Sequence, residues 1–337
     1  MGDIAMTVPV LWSFAKRYPQ HEITLLSRES AATLFQTMPA NVHFLGVNLN
    51  DYRGVVGLAR LVRKLERNGY DAVADLHDVL RSKYIRMTMH TQGYPVAYIN
   101  KSRGDRRALT RSRNKRLAPM QSSIERYQTV LAELGYPFTL TFKSIFEDYE
   151  PAMTPEMSDF IGQNTGYRIG IAPFARHQGK IYPLRQMDGV IQRLASDRSN
   201  KIYLFGAGAE ERQWCEEHAA VRSNVVSAVG HFNLQQELQI ISRLQVMVTM
   251  DSANMHLASL VGTPTVSIWG ATHPYAGFAG LQPEKSVILQ HQMSCRPCSI
   301  FGNKECYKGT YECLWAISPE EVAEAVTDVC KRQSDLR

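Results

Sequence analysis

Short runs of apolar and β-branched residues alternate with helical stretches along almost the whole chain. The predicted strands cover residues 22–26, 42–45, 72–76, 96–99, 169–173, 202–205, 225–227, 246–249, 265–268 and 287–289. In the first half, the predicted helices cover residues 4–17, 31–37, 54–68, 79–89 and 122–134. This alternation is typical of α/β folds, in which parallel strands are layered with helices. The continuous apolar run Val246-Met-Val-Thr-Met250 indicates a strand that is covered on both faces.

The chain is long enough for two such domains. Its 337 residues, 44% hydrophobic and 21% charged, predict two globular domains at about 150 residues each. The proline-containing and acidic stretch 138–167 has the composition of a linker. We predict a first domain over residues 1–150, a second over residues 151–317 and a C-terminal helix over residues 318–337 that packs back toward the first domain. Ser318 is expected to cap a helix over residues 319–331, with Glu321 completing a capping box.

Charge and cysteine content limit the surroundings in which the protein works. The net charge of +6 suggests an acidic partner without requiring nucleic acid. Six cysteines are too few for a secreted disulfide scaffold. Asp3 and Pro9 interrupt the first apolar run, whereas a cleavable signal peptide has a continuous apolar region. Residues 244–283 carry a single charge, yet they hold too many polar residues for a membrane span. We expect a cytoplasmic protein that could work at the inner face of the membrane.

The most informative segment runs from residue 250 to residue 270. It predicts a strand that ends at Thr249, a polar turn, a short helix from about Ala253, and a second strand that ends at Gly270. Asp251 and Ser252 then lie between a strand's carboxyl end and a helix's amino end. Free N–H groups at that place favour a diphosphate, although either residue could simply cap the helix.

Five motifs in this order resemble glycosyltransferase family 9, the lipopolysaccharide heptosyltransferases. They are Met1-Gly-Asp3, Asp75-Leu-His-Asp-Val-Leu-Arg-Ser82, Ala172-Pro-Phe-Ala175 with Lys180-Ile-Tyr-Pro183, Leu204-Phe-Gly-Ala-Gly208, and Asp251-Ser-Ala-Asn-Met-His-Leu-Ala258 with Trp269-Gly-Ala-Thr-His-Pro274. The sequence departs from the commoner pattern at Ala253, where glycine often follows Asp-Ser, and at Tyr182, which replaces tryptophan.

The resemblance implies an α/β fold of GT-B architecture, in which two Rossmann-like domains with parallel sheets face a cleft. It further implies inverting, metal-independent transfer of a heptose from ADP-heptose to a lipopolysaccharide-core acceptor, with no cofactor. The first domain would hold the acceptor and the second the nucleotide sugar. Two alternatives stay open: a nucleotide-sugar binding protein of this fold with impaired catalysis, and a nucleotide-sugar epimerase.

The resemblance also assigns roles to individual residues. Asp3 matches the catalytic base, which takes a proton from the acceptor hydroxyl, although it could equally cap a helix. Lys180 matches the lysine that meets the charge of the leaving diphosphate. The implied donor-binding residues are Asp251, Ser252, Asn254, His256, Gly206 and Thr272, of which His256 could instead be a core histidine. The implied acceptor-binding residues are Asp75, His77, Arg81, Arg106 and Arg107.

Two further features have both an ordinary and a functional interpretation. Residues 101–116 carry eight basic side chains and one acidic side chain, so they form either a solvated loop or a surface for anionic core sugars and an anionic membrane. Interleaved aromatic residues are missing from this stretch, and we therefore predict no nucleic-acid partner. The spacing Cys295-x-x-Cys298, Cys306 and Cys313 fits no standard zinc finger, so free thiols are favoured over a structural zinc site or redox pairing.

The first residues predict an unusual start to the first domain. A parallel α/β domain normally begins with a strand that leads into its first helix, whereas Met1-Gly-Asp3 leads directly into a helical pattern. We therefore expect the natural first strand to be missing from this chain.

Overall fold

The computed structural model describes residues 1–163 and 165–335. From the amino end to residue 142 the elements are α1 (Gly2–Ala5), α2 (Val8–Arg17), β1 (Ile23–Arg28), β2 (Val42–Val47), α3 (Gly54–Glu66), β3 (Val73–Asp75), α4 (Leu80–Thr91), β4 (Val96–Tyr98), α5 (Arg103–Thr110) and α6 (Ser123–Glu133), with a 3₁₀ helix at Glu29–Phe35.

The remaining elements are α7 (Pro155–Ile161), β5 (Arg168–Ala172), α8 (Leu184–Ser196), β6 (Lys201–Leu204), α9 (Ala209–Val221), β7 (Val225–Ser227), α10 (Leu234–Ile241), β8 (Val246–Met250), α11 (Ala253–Leu260), β9 (Thr265–Ile268), β10 (Val287–Leu289), α12 (Glu312–Trp315) and α13 (Pro319–Ser334). Short 3₁₀ helices lie at Gln178–Lys180, Pro274–Ala276 and Pro283–Lys285.

The chain divides into two compact units that differ from the predicted domains in two respects. The first unit holds Met1, Asp3–Arg103 and Gln121–Phe142, and the second holds Gly2, Gly104–Met120 and the chain from Lys143 onward. The boundary thus falls after Phe142 rather than at 150/151. In addition, residues 104–120 belong to the second unit, although first-unit residues flank them on both sides.

The second unit is built on a six-stranded parallel sheet in the order β10-β9-β8-β5-β6-β7. Its central strand β8 is buried along its whole length, as the apolar run over Val246–Met250 predicts. The segment 244–283 contains the strands β8 and β9 of this sheet and the helix α11 between them. No helix among residues 1–163 and 165–335 is both long enough and apolar enough to cross a membrane. The strand order changes direction between β5 and β8, and in α/β sheets such a switch point opens a ligand crevice at the carboxyl ends of the strands.

The first unit contains two parallel strand pairs, β1 with β2 and β3 with β4. The helix predicted over residues 4–17 is divided into α1 and α2, because Pro9 stands in the first turn of α2 and offers no N–H to the turn before it. The described residues of this unit include no strand before α1. That a natural first strand is missing stays a prediction.

Helix α13 completes the second unit. It packs against α8 and against β8, β9 and β10, all of which belong to the second unit. Residues 336 and 337 of the segment predicted over residues 318–337 lie outside the described part. Ser318 Oγ accepts the N–H of Glu321 at 3.1 Å, and Pro319 occupies the first turn. The predicted N-cap of α13 is therefore present in the form of the Ser318 hydrogen bond.

Candidate active site

Lys180 and Asp251 meet at the switch point of the second unit's sheet. Asp251 directly follows β8, and Lys180 ends the 3₁₀ helix that follows β5. Lys180 Nζ lies 2.8 Å from Asp251 Oδ2, with the side chains 15% and 4% exposed. The fold thus brings together two residues that are 71 positions apart, and it places a lysine ammonium where sheets of this topology bind ligands.

The amino end of α11 lies directly after Asp251. Ser252 is its N-cap residue, but the serine hydroxyl makes no capping hydrogen bond and lies 3.2 Å from Thr249 Oγ1. The Ser252 side chain therefore leaves the first-turn N–H groups of α11 uncapped, and such groups can bind an anion. Asn254 is half-buried in this first turn, whereas His256, two residues further on, is buried.

The turn after β6 requires a glycine at position 206. A Cβ atom there would lie 2.9 Å from Glu211 Oε2 and 3.2 Å from Phe174 Cδ2. Glu211 accepts the N–H of Ala207 at 2.6 Å. Its carboxylate thus closes the turn at the position where a dinucleotide-binding motif would have its third glycine.

Thr272 lies in the loop after β9 and is fully buried. Among the described residues, its hydroxyl has no hydrogen-bond partner. The buried Arg296 guanidinium donates to the carbonyl of Thr272 at 3.0 Å and also to the carbonyls of Gly270 and His291. Arg296 was not predicted from the sequence; the signal that could have indicated it is a cation between Cys295 and Cys298.

His273 follows Thr272 and is neutral at physiological pH. Burial, together with the nearby charges of Arg296 and Lys115, lowers the pKa of its imidazole to about 4. Its Nδ1 accepts the N–H of Tyr275 at 3.1 Å, so this ring caps the short 3₁₀ helix that follows.

Asp3, the predicted base, is an exposed residue in the short helix α1 of the first unit. Its backbone carbonyl lies 3.5 Å from the hydroxyl of Tyr127, which donates to it from α6. The Asp3 carboxylate therefore stands on a helix of only four residues, which the Tyr127 hydrogen bond ties to α6.

The acceptor candidates of the first unit cluster at the carboxyl end of β3. The buried Asp75 carboxylate accepts the N–H groups of His77 and Asp78 at 2.9 and 2.8 Å, and it pairs with Arg86 Nη1 at 2.7 Å. Asp75 therefore shapes the loop that presents His77 and Arg81, both of which are exposed.

The basic stretch belongs to the second unit from Gly104 onward and contacts other residues of that unit. Lys115 Nζ donates to the carbonyls of Cys295 and Pro297 at 2.7 and 2.9 Å, and burial lowers the pKa of its ammonium. The Arg106 guanidinium lies 5.5 Å from the ring centres of both Phe278 and Phe301. Arg106 thus belongs to the second unit, whereas we predicted that it lies in the first domain, which would bind the acceptor. Arg107, its neighbour on α5, is exposed.

The cysteines are all free thiols. Within residues 1–163 and 165–335, no three histidine, cysteine or carboxylate side chains are grouped so that they could hold a metal ion. The zinc alternative for Cys295, Cys298, Cys306 and Cys313 is therefore not supported. Burial raises the pKa of Cys313 to about 11, so this thiol is protonated at neutral pH.

The fold and this site define a nucleotide-sugar glycosyltransferase of the GT-B class. The sequence profile of glycosyltransferase family 9 (heptosyltransferase) matches residues 58–308. The chain belongs to this family, which confirms the resemblance seen in its motifs.

Individual relatives agree with this assignment over nearly the whole chain. Lipooligosaccharide heptosyltransferase 2 of Campylobacter jejuni is 22% identical over 337 residues, covering 98% of this chain and 96% of the relative. The family 9 glycosyl transferase of Veillonella parvula has a TM-score of 0.74 at 18% identity, with 98% and 95% of the two chains covered. Escherichia coli heptosyltransferase WaaC, solved with ADP-2-deoxy-2-fluoro heptose, has a TM-score of 0.66 at 16% identity, with 97% and 96% covered.

Proposed function

We propose that this glycosyltransferase moves a heptose from ADP-heptose to a lipopolysaccharide-core acceptor and inverts the anomeric centre. The observation that carries the proposal is the Lys180–Asp251 pair beside the uncapped start of α11, at the switch point of the sheet. A lysine ammonium and first-turn N–H groups are the donors that a diphosphate needs. Family membership and relatives named as heptosyltransferases support the choice of sugar.

In the proposed reaction, an acceptor hydroxyl gives its proton to the Asp3 carboxylate while its oxygen bonds to the anomeric carbon of the heptose. The bond from that carbon to the diphosphate oxygen breaks, and ADP leaves with the electron pair. Lys180 and the N–H groups of α11 stabilise the charge that grows on the diphosphate. To reach it, the Lys180 ammonium exchanges part of its contact with Asp251 for a phosphate oxygen.

On the acceptor side, we propose that His77 and Arg81 contact the anionic core sugars. His77 is exposed on the loop that Asp75 shapes, and Arg81 is exposed in the first turn of α4. The nearby cations Lys83 and Arg103 lie within 3.5 Å of Asp78.

We further propose that the protein works in the cytoplasm, at an anionic membrane surface. Val55 and Val56 in the first turn of α3 are 66% and 79% exposed, and Leu80 in the first turn of α4 is 87% exposed. The two helices pack against each other, and each follows the carboxyl end of a parallel strand. Exposed basic side chains flank these three aliphatic residues, a combination that favours anionic bilayers. These side chains are Arg53, Arg60 and Arg81.

Incubation with ADP-heptose and a heptose-deficient core acceptor tests the function. Transfer with release of ADP is the expected result. Donor binding without transfer would instead favour the impaired binding protein, and isomerisation of the donor sugar would favour an epimerase.

A further inference from the structure

Residues 291–311, which include Cys295, Cys298 and Cys306, pack against the backbone that carries Lys180. We call this segment the cysteine loop. The carbonyl of Ala271 accepts the N–H groups of Cys298 and Ser299 at 3.1 and 3.2 Å, and the N–H of Ala271 donates to the carbonyl of Gly179 at 2.8 Å. Ala271, in the loop after β9, is therefore hydrogen-bonded through its carbonyl to the cysteine loop and through its N–H to Gly179, the residue before Lys180.

Two cations fasten the cysteine loop on this surface. Arg296 donates to the carbonyls of Gly270 and Thr272, and Lys115 donates to the carbonyls of Cys295 and Pro297. All these acceptors are backbone atoms, so the two side chains fix the path of the main chain.

Gly302 is the point at which the cysteine loop meets Lys180. A Cβ atom at Gly302 would lie 2.6, 3.1 and 3.3 Å from Cγ, Cε and Cδ of Lys180, and Gly302 has a φ of +74°. A Cβ atom at Gly179 would lie 2.9 Å from the Gly302 carbonyl oxygen. The methylenes of Lys180 therefore run along bare backbone, up to the carbon that carries the ammonium paired with Asp251.

We propose that Gly302 is a positioning residue, whose backbone forms a wall that holds the Lys180 side chain in the conformation needed for the diphosphate. A lysine has four rotatable side-chain bonds and loses much conformational freedom when it is fixed. A wall built into the fold removes that freedom in advance, so the ammonium is in place when charge develops on the leaving group. The catalytic consequence rests on the role proposed for Lys180.

The chain offers a matched pair of glycines for the test. Gly309 lies in the same cysteine loop with a φ of +72°, and a Cβ atom there would meet nothing within 4 Å. Gly302→Ala and Gly309→Ala thus bring the same left-handed backbone strain, but only the first presses on Lys180. We expect Gly302→Ala to lower kcat about 10- to 100-fold, and Gly309→Ala to leave it within about twofold of the parent.

A double variant separates positioning from general damage to the fold. In a Lys180→Ala background the methylenes are absent, so Gly302→Ala should have no further effect on the residual rate. Equal losses from Gly302→Ala with and without Lys180, or equal losses from the two glycine variants, would overturn the proposal. Should Gly302→Ala not fold, Arg296→Lys loosens the same cysteine loop and should also lower kcat; an unchanged kcat would count against the proposal.

A second readout does not depend on transfer activity. Lysines methylated with ¹³C formaldehyde give separate NMR signals, and Lys180→Arg identifies the signal of Lys180. Gly302→Ala should shift this signal, whereas Gly309→Ala should not. An unchanged Lys180 signal in Gly302→Ala would contradict the proposal that the Gly302 backbone holds this side chain. An inactive parent protein would refute the proposed function, yet this comparison would still decide whether Gly302 positions Lys180.

Discussion

Lys180 is the residue for which the structure makes the sharpest prediction. Its ammonium is already paired with Asp251, so a bound diphosphate gains less from it in the ground state than the leaving group gains as its charge grows. Lys180→Ala should therefore lower kcat about 10²- to 10³-fold, as expected for one lost electrostatic donor, with a much smaller change in ADP affinity. Steady-state kinetics and calorimetric titration with ADP measure the two effects.

Lys143→Ala is the control for this prediction, because that lysine is 79% exposed. It should match the parent protein in both assays. If Lys180→Ala weakened ADP binding as much as it slowed turnover, the lysine would be a ground-state anchor only.

At the scale of secondary-structure elements, the first turns of α3 and α4 make the membrane proposal testable. Replacing Val55, Val56 and Leu80 together with serine should weaken binding to phosphatidylglycerol vesicles about tenfold or more, because three exposed aliphatic side chains would no longer enter the bilayer surface. Co-sedimentation with the vesicles measures the binding.

The control replaces an aliphatic side chain on α9 of the second unit. Val221 is 73% exposed, and Val221→Ser should bind vesicles like the parent protein. Equal binding by the triple variant would show that charge alone accounts for any attraction to the membrane.

The strands of the second unit could be predicted from sequence because they are short apolar runs, and the inner strands β8 and β9 are buried along their whole length. Residues 225–227, 265–268 and 287–289 are strands with the predicted bounds. The division of residues 4–17 at Pro9 was less evident, since a proline is tolerated in the first turn of a helix and periodicity alone does not say where a turn begins.

The candidate site was predictable where its residues belong to contiguous motifs. Asp251 and Ser252 could be placed between a strand and a helix from local pattern alone. The roles of Arg296 and Gly302 could not, because each depends on a backbone segment that is distant along the chain: Gly270 for the first and Lys180 for the second. The membership of residues 104–120 in the second unit is likewise a tertiary property.

The stability of the whole molecule should depend on Glu237. Burial on α10 raises the pKa of its carboxyl to about 7 from the ordinary 4.5. Between those two values the folded chain holds a proton that the unfolded chain has lost, so the free energy of unfolding falls as the pH rises. Glu237→Gln removes this dependence and should gain about 1–3 kcal/mol over the parent protein between pH 5 and pH 8.

Urea unfolding at several pH values measures this gain. Tryptophan fluorescence reports mainly on the second unit, which holds Trp214, Trp269 and Trp315 of the four tryptophans. The exposed Glu324→Gln is the matched control and should give no gain that grows with pH. A parallel pH profile for Glu237→Gln and the parent protein would contradict the prediction.

The position of residues 104–120 in the second unit sets an order of events during synthesis. Lys115 and its acceptor at Pro297 are 182 residues apart. At about 5–20 residues per second, the ribosome needs roughly 10–35 seconds to make the chain between them. Early in that interval the first unit becomes complete through Phe142, while the later residues on which this basic segment packs have not yet been made. Its arginine side chains are readily hydrated, so the segment can remain exposed to water until its binding surface has been synthesised. The high positive charge of residues 104–120 therefore suits a segment that is made early and packs late.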